Sequence, residues 1–524
     1  MSTRNQEVLN PKLQNCLKNV MRSLEITNYV LNISRNQEPG ENHLGIIISV
    51  EVIDEESKKI NMVIKNGPKS LVYRNFFPIH SVFIRESYVY RTVLPEFERF
   101  QKNTNSFGYF PKYYDCILDI GNESILLEDV KELGYKSLSR EVSLNYNHAL
   151  LVVRELGKLH AISFALRDQD HDVFMKLSQN LEESYYSKFE CIDAITDCYA
   201  KFTEAASNTL NKLQDFEIFQ KIDRFKNQFY KTLCEITLSK DCGEYSVICH
   251  GDVWVGNLLF KYFPDGVPQS VCFLDWQLAR YGSPVLDLSQ FLFTCTEKSL
   301  RDEHYHDLIN AYYTSLHDYM QQLGSNPEKW FPMTALNEHL KKYSLYGLCM
   351  AIHVLWTNVN VPKDDFYDTD TTTTQDVEKV VDHFNKPPID AYTFRMRDVI
   401  LDFFNFGYEL LNCLVQNTSP TGHNAQWTQR PIFCCSDRYL GHNALLQLLD
   451  TTPNLDVSPT SIFGYNAQFG HIAYFVTWTH RPLQRLDLTP TWTQRLIRFM
   501  DTTPNLDTSL NSLYVASNRS GQCV

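Results

Sequence analysis

The chain has 524 residues, 43% apolar and 21% charged, with a net charge of −13. That length suits two or three domains of an ordinary globular protein, and the acidic balance excludes non-specific nucleic-acid binding, which needs a basic face. No apolar run approaches the ~18–20 residues that span a bilayer. Residues 1–30 carry Arg4, Lys12, Lys18, Arg22 and Glu25 without an apolar block. Neither a membrane helix nor a secretory signal is therefore expected, and the expected compartment is the cytosol. The 14 cysteines are irregularly spaced with no C-x-x-C pair, which reads as reduced, mostly buried thiols.

Residues 7–30 read as a helical lead-in. Residues 44–53 are β-branched and strand-like, residues 54–59 form a polar turn, and Asn61–Lys65 is the returning strand, so a hairpin ends on a lysine. Residues 82–93 read as a helix, with Phe83, Tyr90 and Leu94 at helical spacing. Residues 112–129 give two short strands. The pattern then turns helical: one strong amphipathic helix over 147–167, two or three more over 173–240, and further helical patterns at 286–323, 334–357 and 388–415. A strand-rich front precedes a helix-rich back, an α+β order. Residues 364–376 are acidic and Thr-rich and read as a solvated loop or a flap; the Gly and final Glu of an EF-hand loop are missing.

The last stretch differs in composition. From Leu411 to Val524 there is no Lys and no Glu. Asp450–Asp456 recurs identically at Asp501–Asp507, Trp427–Arg430 at Trp492–Arg495, and Gly422–Ala425 at Gly441–Ala444, with spacings of 51, 65 and 19 residues. A solenoid needs a fixed period, so residues 416–524 read as an appended repetitive tail, disordered or arising from a misjoined exon; a partner-binding extension is the other reading.

The chemistry concentrates in His250-Gly-Asp-Val-Trp-Val-Gly-Asn257 and in Asp275, which follows an apolar run in Phe273-Leu-Asp-Trp-Gln277. Phosphoryl transfer needs a carboxylate to orient and accept the proton of an attacking hydroxyl, and oxygen ligands for magnesium. Asp252 and Asn257 repeat the Asp-to-Asn spacing of a protein-kinase catalytic loop. A kinase-like fold also asks for a strand lysine and a helical carboxylate. Lys65 ends the second strand of the hairpin, and Glu86 lies on the next predicted helix. Gly40 and Gly45 bracket a turn that could bring amides to phosphates, though it lacks the full G-x-G-x-x-G. A protein kinase is disfavoured, because Asp-Trp-Gln replaces Asp-Phe-Gly, no Ala-Pro-Glu follows, and little room remains for an activation segment.

These motifs, with Gly282-Ser-Pro-Val-Leu-Asp-Leu288, Phe83-Ile-Arg-Glu86, Leu127-Glu-Asp129 and Leu159-His-Ala161, resemble the ecdysteroid kinase-like family of arthropods. That family is kin to choline kinases and aminoglycoside phosphotransferases. The resemblance runs from about residue 10 to about residue 415. It implies a bilobal protein-kinase-like fold with a small β-rich N-lobe (1–130), a larger helical C-lobe (131–415) and the atypical extension (416–524). It implies ATP and magnesium as cofactors and a small-molecule hydroxyl as acceptor, an ecdysteroid or a xenobiotic alcohol met in detoxification. Asp252 would be the catalytic base. Asn257 and Asp275 would ligate magnesium. Lys65, held by Glu86, would contact phosphates, and the backbone of Glu128, Asp129 and Val130 would meet adenine. His250, Asp287 and Trp254 would brace the loop. The alternative is a catalytically silent pseudokinase or ligand-binding protein of the same fold. No nucleic-acid or membrane partner is expected, and the expected state is a monomer.

Overall fold

In the computed structural model, α1 (Pro11–Ser23) starts where Asn10 accepts a hydrogen bond from the Leu13 amide and Pro11 opens the first turn. Its stripe of Leu13, Cys16, Leu17, Val20 and Met21 is buried against Ile48, Val50, Val52, Met62, Ile64 and Leu126 of a sheet. Each of these larger side chains contributes roughly 1.5–3 kcal/mol on full burial. The structure describes residues 9–34, 46–70, 74, 77–101, 107–140, 142–182, 185–186, 192–359, 390–410, 461–466 and 472–477. Gly40, Gly45, the Thr-rich stretch 364–376 and the repeated heptapeptides of the tail lie outside the described residues.

The sheet is antiparallel and ordered β1-β2-β3-β5-β4, from β1 (Tyr29–Ser34), β2 (Ile46–Asp54), β3 (Lys59–Asn66), β4 (Tyr113–Ile117) and β5 (Ser124–Glu128). The expected hairpin is β2–β3. The helical lead-in over 7–30 needs correction: the helix stops at Ser23, Glu25 takes a positive φ of 61°, and Tyr29–Ser34 is an edge strand. Alternation with period two places Met62 and Ile64 towards α1, and so Val63 and Lys65 towards the other face.

That other face receives α2 (Ile79–Tyr88), which runs through a π turn (Val89–Val93) into α3 (Leu94–Phe100). Pro95 has no N–H to give to the turn before it, and the widened turn absorbs that defect. After the short β6 (Lys136–Ser137) the chain is mainly helical: α4 (Tyr146–Gln169), α5 (His171–Ser178), α6 (Ile192–Ser207), α7 (Phe216–Phe225) and α8 (Phe229–Ile236). Residues 173–240 thus hold more helices than the two or three expected. Next come β7 (Val247–Cys249), β8 (Leu258–Tyr262), β9 (Pro268–Phe273) and β10 (Arg280–Gly282), with β7 paired to β10 and β8 lying between β6 and β9. The helices α9 (Val285–Cys295), α10 (Lys298–Gln322), α11 (Pro327–Trp330), α12 (Met333–Val359) and α13 (Asp390–Asn405) complete the first of two compact units, Met1–Asn417. Of the second, Thr418–Val524, a hairpin of β11 (Ser461–Asn466) and β12 (Ile472–Thr477) is described.

The α+β architecture expected from the sequence is present: a small antiparallel sheet in front, helices behind. Among the described residues no helix is long and apolar enough to cross a membrane. The described cysteines are free, and burial raises the pKa of thiols such as Cys249, Cys272 and Cys349.

Candidate active site

Lys65 arrives from β3 pointing away from α1, and Glu86 arrives from α2. The Lys65 Nζ lies 2.7 Å from Glu86 Oε2 and also donates to Asp275 Oδ1, although Asp275 is 210 residues away in sequence. Burial disfavours charge on Lys65, but the carboxylates of Asp275 and Glu86 outweigh it and raise its pKa. Burial likewise pushes Glu86 up, against the pull of Lys65. Side-chain exposure is 7% for Lys65, 1% for Glu86 and 20% for Asp275, so the trio opens to solvent at Asp275.

Asp252 lies in a loop between β7 and β8 whose backbone is clamped. Asp287, at the start of α9, accepts from the amides of His250 (2.7 Å) and Gly251 (2.8 Å). Burial alone would raise its pKa, but His160, His250 and the Gly251 amide hold it below the ordinary carboxylate value. His250 is fully buried. Its Nε2 donates to Leu274 O at 2.9 Å and its Nδ1 accepts from the Asp252 amide at 3.2 Å. These bonds define a neutral tautomer, and burial lowers its pKa accordingly. His250 therefore braces the loop against the strand that delivers Asp275. The Leu274 amide completes this tie by donating to Asn257 O at 3.0 Å. Asp275 itself sits in the left-handed region, φ 65° and ψ 62°. Trp254 is buried, with the Arg140 guanidinium 5.2 Å from its ring centroid.

Both oxygens of Asp252 are held by amides: Asn257 Nδ2 at 3.0 Å on Oδ2 and Gln290 Nε2 at 3.1 Å on Oδ1. Burial, then the neighbouring Asp275 charge, pushes Asp252 up to about 7, opposed by Gln290, Asn257 and Arg280. A carboxylate poised near neutrality suits a general base. Asn257 uses its Nδ2 on Asp252, so its amide oxygen takes no part in that bond. That oxygen and the Asp275 carboxylate are both hard oxygen donors, the kind magnesium prefers.

The segment Glu128–Val130 leaves the sheet at the end of β5. The Glu128 amide bonds Lys112 O and the Asp129 amide bonds Asn61 O, so neither faces outward. The Val130 amide opens a 3-10 turn, where N–H groups have no partner within the helix. The Val130 side chain joins a small apolar cluster with Tyr135, Leu259 and Cys272, flanked by Tyr109 and Leu274.

Several supporting residues escape a reading of the sequence. Gln290 lies one turn beyond Asp287 on α9, a spacing that offered a signal. Arg280 is fully buried between the rings of Tyr186 and Tyr346, with Nη2 3.4 Å from Gly251 O. Tyr346 also donates to that carbonyl, at 3.2 Å. Among the described residues His160, Cys249 and Asp287 form one cluster of ligand-type side chains. Hydrogen bonds occupy it: the two loop amides on Asp287, Tyr312 on His160 (2.8 Å) and Ser283 O on Cys249 (3.3 Å). It is a brace behind the loop.

A model of the family described as the Ecdysteroid kinase-like family matches residues 39–325, more than half of the chain. A Caenorhabditis elegans protein called "Uncharacterized oxidoreductase dhs-27" is 22% identical over 235 residues, 44% of this chain and 26% of that protein. The chain thus spans about a quarter of the length of the curated relative it matches. The GDP complex of wild-type aminoglycoside 2'-phosphotransferase-IIIa is 12% identical, covering 72% of this chain and 99% of that one, with a TM-score of 0.34. Aminoglycoside phosphotransferase APH(3'')-Id from Streptomyces rimosus, in complex with ADP and streptomycin, is 13% identical, covering 58% and 88%, with a TM-score of 0.21.

Proposed function

Because the chain belongs to the ecdysteroid kinase-like family, we propose that it moves the γ-phosphoryl group of ATP onto a hydroxyl of a small molecule, an ecdysteroid or a xenobiotic alcohol. The observation that carries this reading is that four separate elements bring two hydrogen-bonded sets together, Lys65 with Glu86 and Asp275, and Asp252 with Asn257, tied through the Leu274 amide on Asn257 O. Lys65, kept charged by two carboxylates, neutralises phosphate oxygens. Glu86 fixes its direction. Asp252 orients the acceptor hydroxyl in line and takes its proton as the new P–O bond forms and the bond to the leaving ADP breaks. Asn257 Oδ1 and Asp275 would hold magnesium, which supplies charge screening between phosphates and nucleophile when bound. The Val130 amide and the apolar cluster of Val130, Leu259 and Cys272 suit the edge and face of an adenine. On this reading residues 1–130 bind the nucleotide, while residues 131–415 supply the base and the acceptor site.

The test is incubation with γ-labelled ATP, magnesium and a pool of steroid and xenobiotic alcohols, beside Asp252→Ala. Label in an organic product with the intact protein, lost in the variant while nucleotide binding persists, supports the reading. Equal turnover by Asp252→Ala would refute the assignment of the base.

A further inference from the structure

We propose that Arg85 is a positioning residue that fixes the Lys65–Glu86 pair relative to the catalytic loop, an inference that rests on the kinase reading above. Arg85 precedes Glu86 on α2, so the two side chains leave the helix ~100° apart. Glu86 turns to the sheet lysine. Arg85, 9% exposed, turns the other way. Its Nη1 donates to Ala279 O at 2.7 Å and its Nη2 to Glu182 O at 3.0 Å.

The Ala279 carbonyl is a fixed point. Its residue lies four positions after Asp275, and its amide is bonded to Trp276 O at 3.0 Å. The next residue, Arg280, reaches the Gly251 carbonyl, which immediately precedes Asp252. A continuous path of contacts thus runs from Lys65 through Glu86 and Arg85 to Ala279, and through Arg280 to the base. A planar guanidinium serves two carbonyls at once in a set geometry, which a lysine ammonium cannot reproduce. The helix is therefore held against the segment following Asp275 before any substrate arrives. The phosphate-side lysine and the base stand in register without a swing of α2.

The test uses the full chain with Arg85→Gln, Arg85→Lys and Glu86→Gln. Amide hydrogen exchange is followed over 79–88 and 276–282, with α13 as control, and MgATP affinity is measured in a double-mutant cycle. Arg85→Gln should speed exchange in both segments by about tenfold or more, leaving α13 unchanged. It should weaken MgATP about fivefold in the parent and less than about twofold in the Glu86→Gln background, because it acts through Glu86. Arg85→Lys should fall between, and decides the matter if Arg85→Gln does not fold. Parent-like exchange at α2, or equal weakening in both backgrounds, would overturn the proposal. Failure of the intact protein to bind MgATP would instead sink the kinase reading, while the exchange data still decide whether Arg85 holds the helix.

Discussion

Gly251 offers a sharp test of how tightly the catalytic loop is confined. It adopts φ +85°, and a Cβ built there falls 1.9 Å from Leu278 O and 2.5 Å from Leu278 C. Cβ contacts below 3.0 Å are essentially never seen, so the two backbones must part by about 1 Å. One of them leads into Asp252; the other links Asp275 to Arg280. Gly251→Ala therefore strains the distance between the proposed base and the proposed metal ligand. The left-handed conformation alone costs ~1–2 kcal/mol with a Cβ. Displacement of reacting groups by about 1 Å costs on the order of 100-fold in rate. Gly266 supplies the control, with φ +83° and nothing within 4 Å of its added Cβ. Both variants carry the conformational cost, and only Gly251→Ala carries the collision. Urea denaturation and phosphoryl transfer from MgATP, to an acceptor or to water, should separate them. Gly266→Ala should lose ~1–2 kcal/mol and keep its activity. Gly251→Ala should lose clearly more stability and about two orders of magnitude in transfer. Matching results for the two would refute the idea that Leu278 confines the loop.

Other consequences are open to measurement. Asp287→Ala strips the acceptor from two buried amides; charge-assisted bonds contribute ~1.5–3 kcal/mol each, so unfolding free energy should fall by roughly 3–6 kcal/mol. An unchanged denaturation midpoint would mean the amides find another acceptor. His339, buried with Nδ1 2.8 Å from Ser283 Oγ, has its pKa lowered to about 4 by burial and then by Lys342. Unfolded His339 protonates near ~6.5, so between these values the unfolded chain binds more protons and stability falls as pH drops. The stability is intact well above about pH 6.5, and its loss reaches about 3 kcal/mol by pH 4. His339→Gln should flatten that part of the stability–pH curve, and an identical slope would contradict the assignment. Asp275→Asn should remove most of the difference between ATP affinities with magnesium and with EDTA; an undiminished difference would place the metal elsewhere. A chain ending at Asn417 should keep the main unfolding transition, because the two large described cores lie within Met1–Asn417. Loss of that transition would make the tail part of the folded core.

The legible parts of this chain are those where chemistry demands particular residue types close together. His250 to Asn257 and Asp275 read directly as phosphotransfer elements because one short stretch carries a carboxylate and the amide, and the second carboxylate follows 18 residues on. Lys65 was legible because a hairpin ends on it, and period-two alternation assigns its face. The strand Tyr29–Ser34 was not, because its hydrogen-bond partner β2 lies beyond a connection and its own residues fit a helix edge nearly as well. The supports of the site were hidden for a related reason. Arg85, Arg280 and Tyr346 bind backbone carbonyls, and a carbonyl carries no mark in a sequence.

The sequence by itself pointed to the class of chemistry, the order of a strand-rich front and helix-rich back, and the side chains that a phosphoryl transfer would use. Only the tertiary structure decided which partners the charged side chains meet: Lys65 with Asp275, Asp252 with Gln290, Arg85 with the segment after Asp275. Each of these is a contact between residues 38 to 210 positions apart. Such pairings are set by the packing of helices against the sheet and by the need to give every buried polar group a partner, neither of which is written in any local stretch of chain.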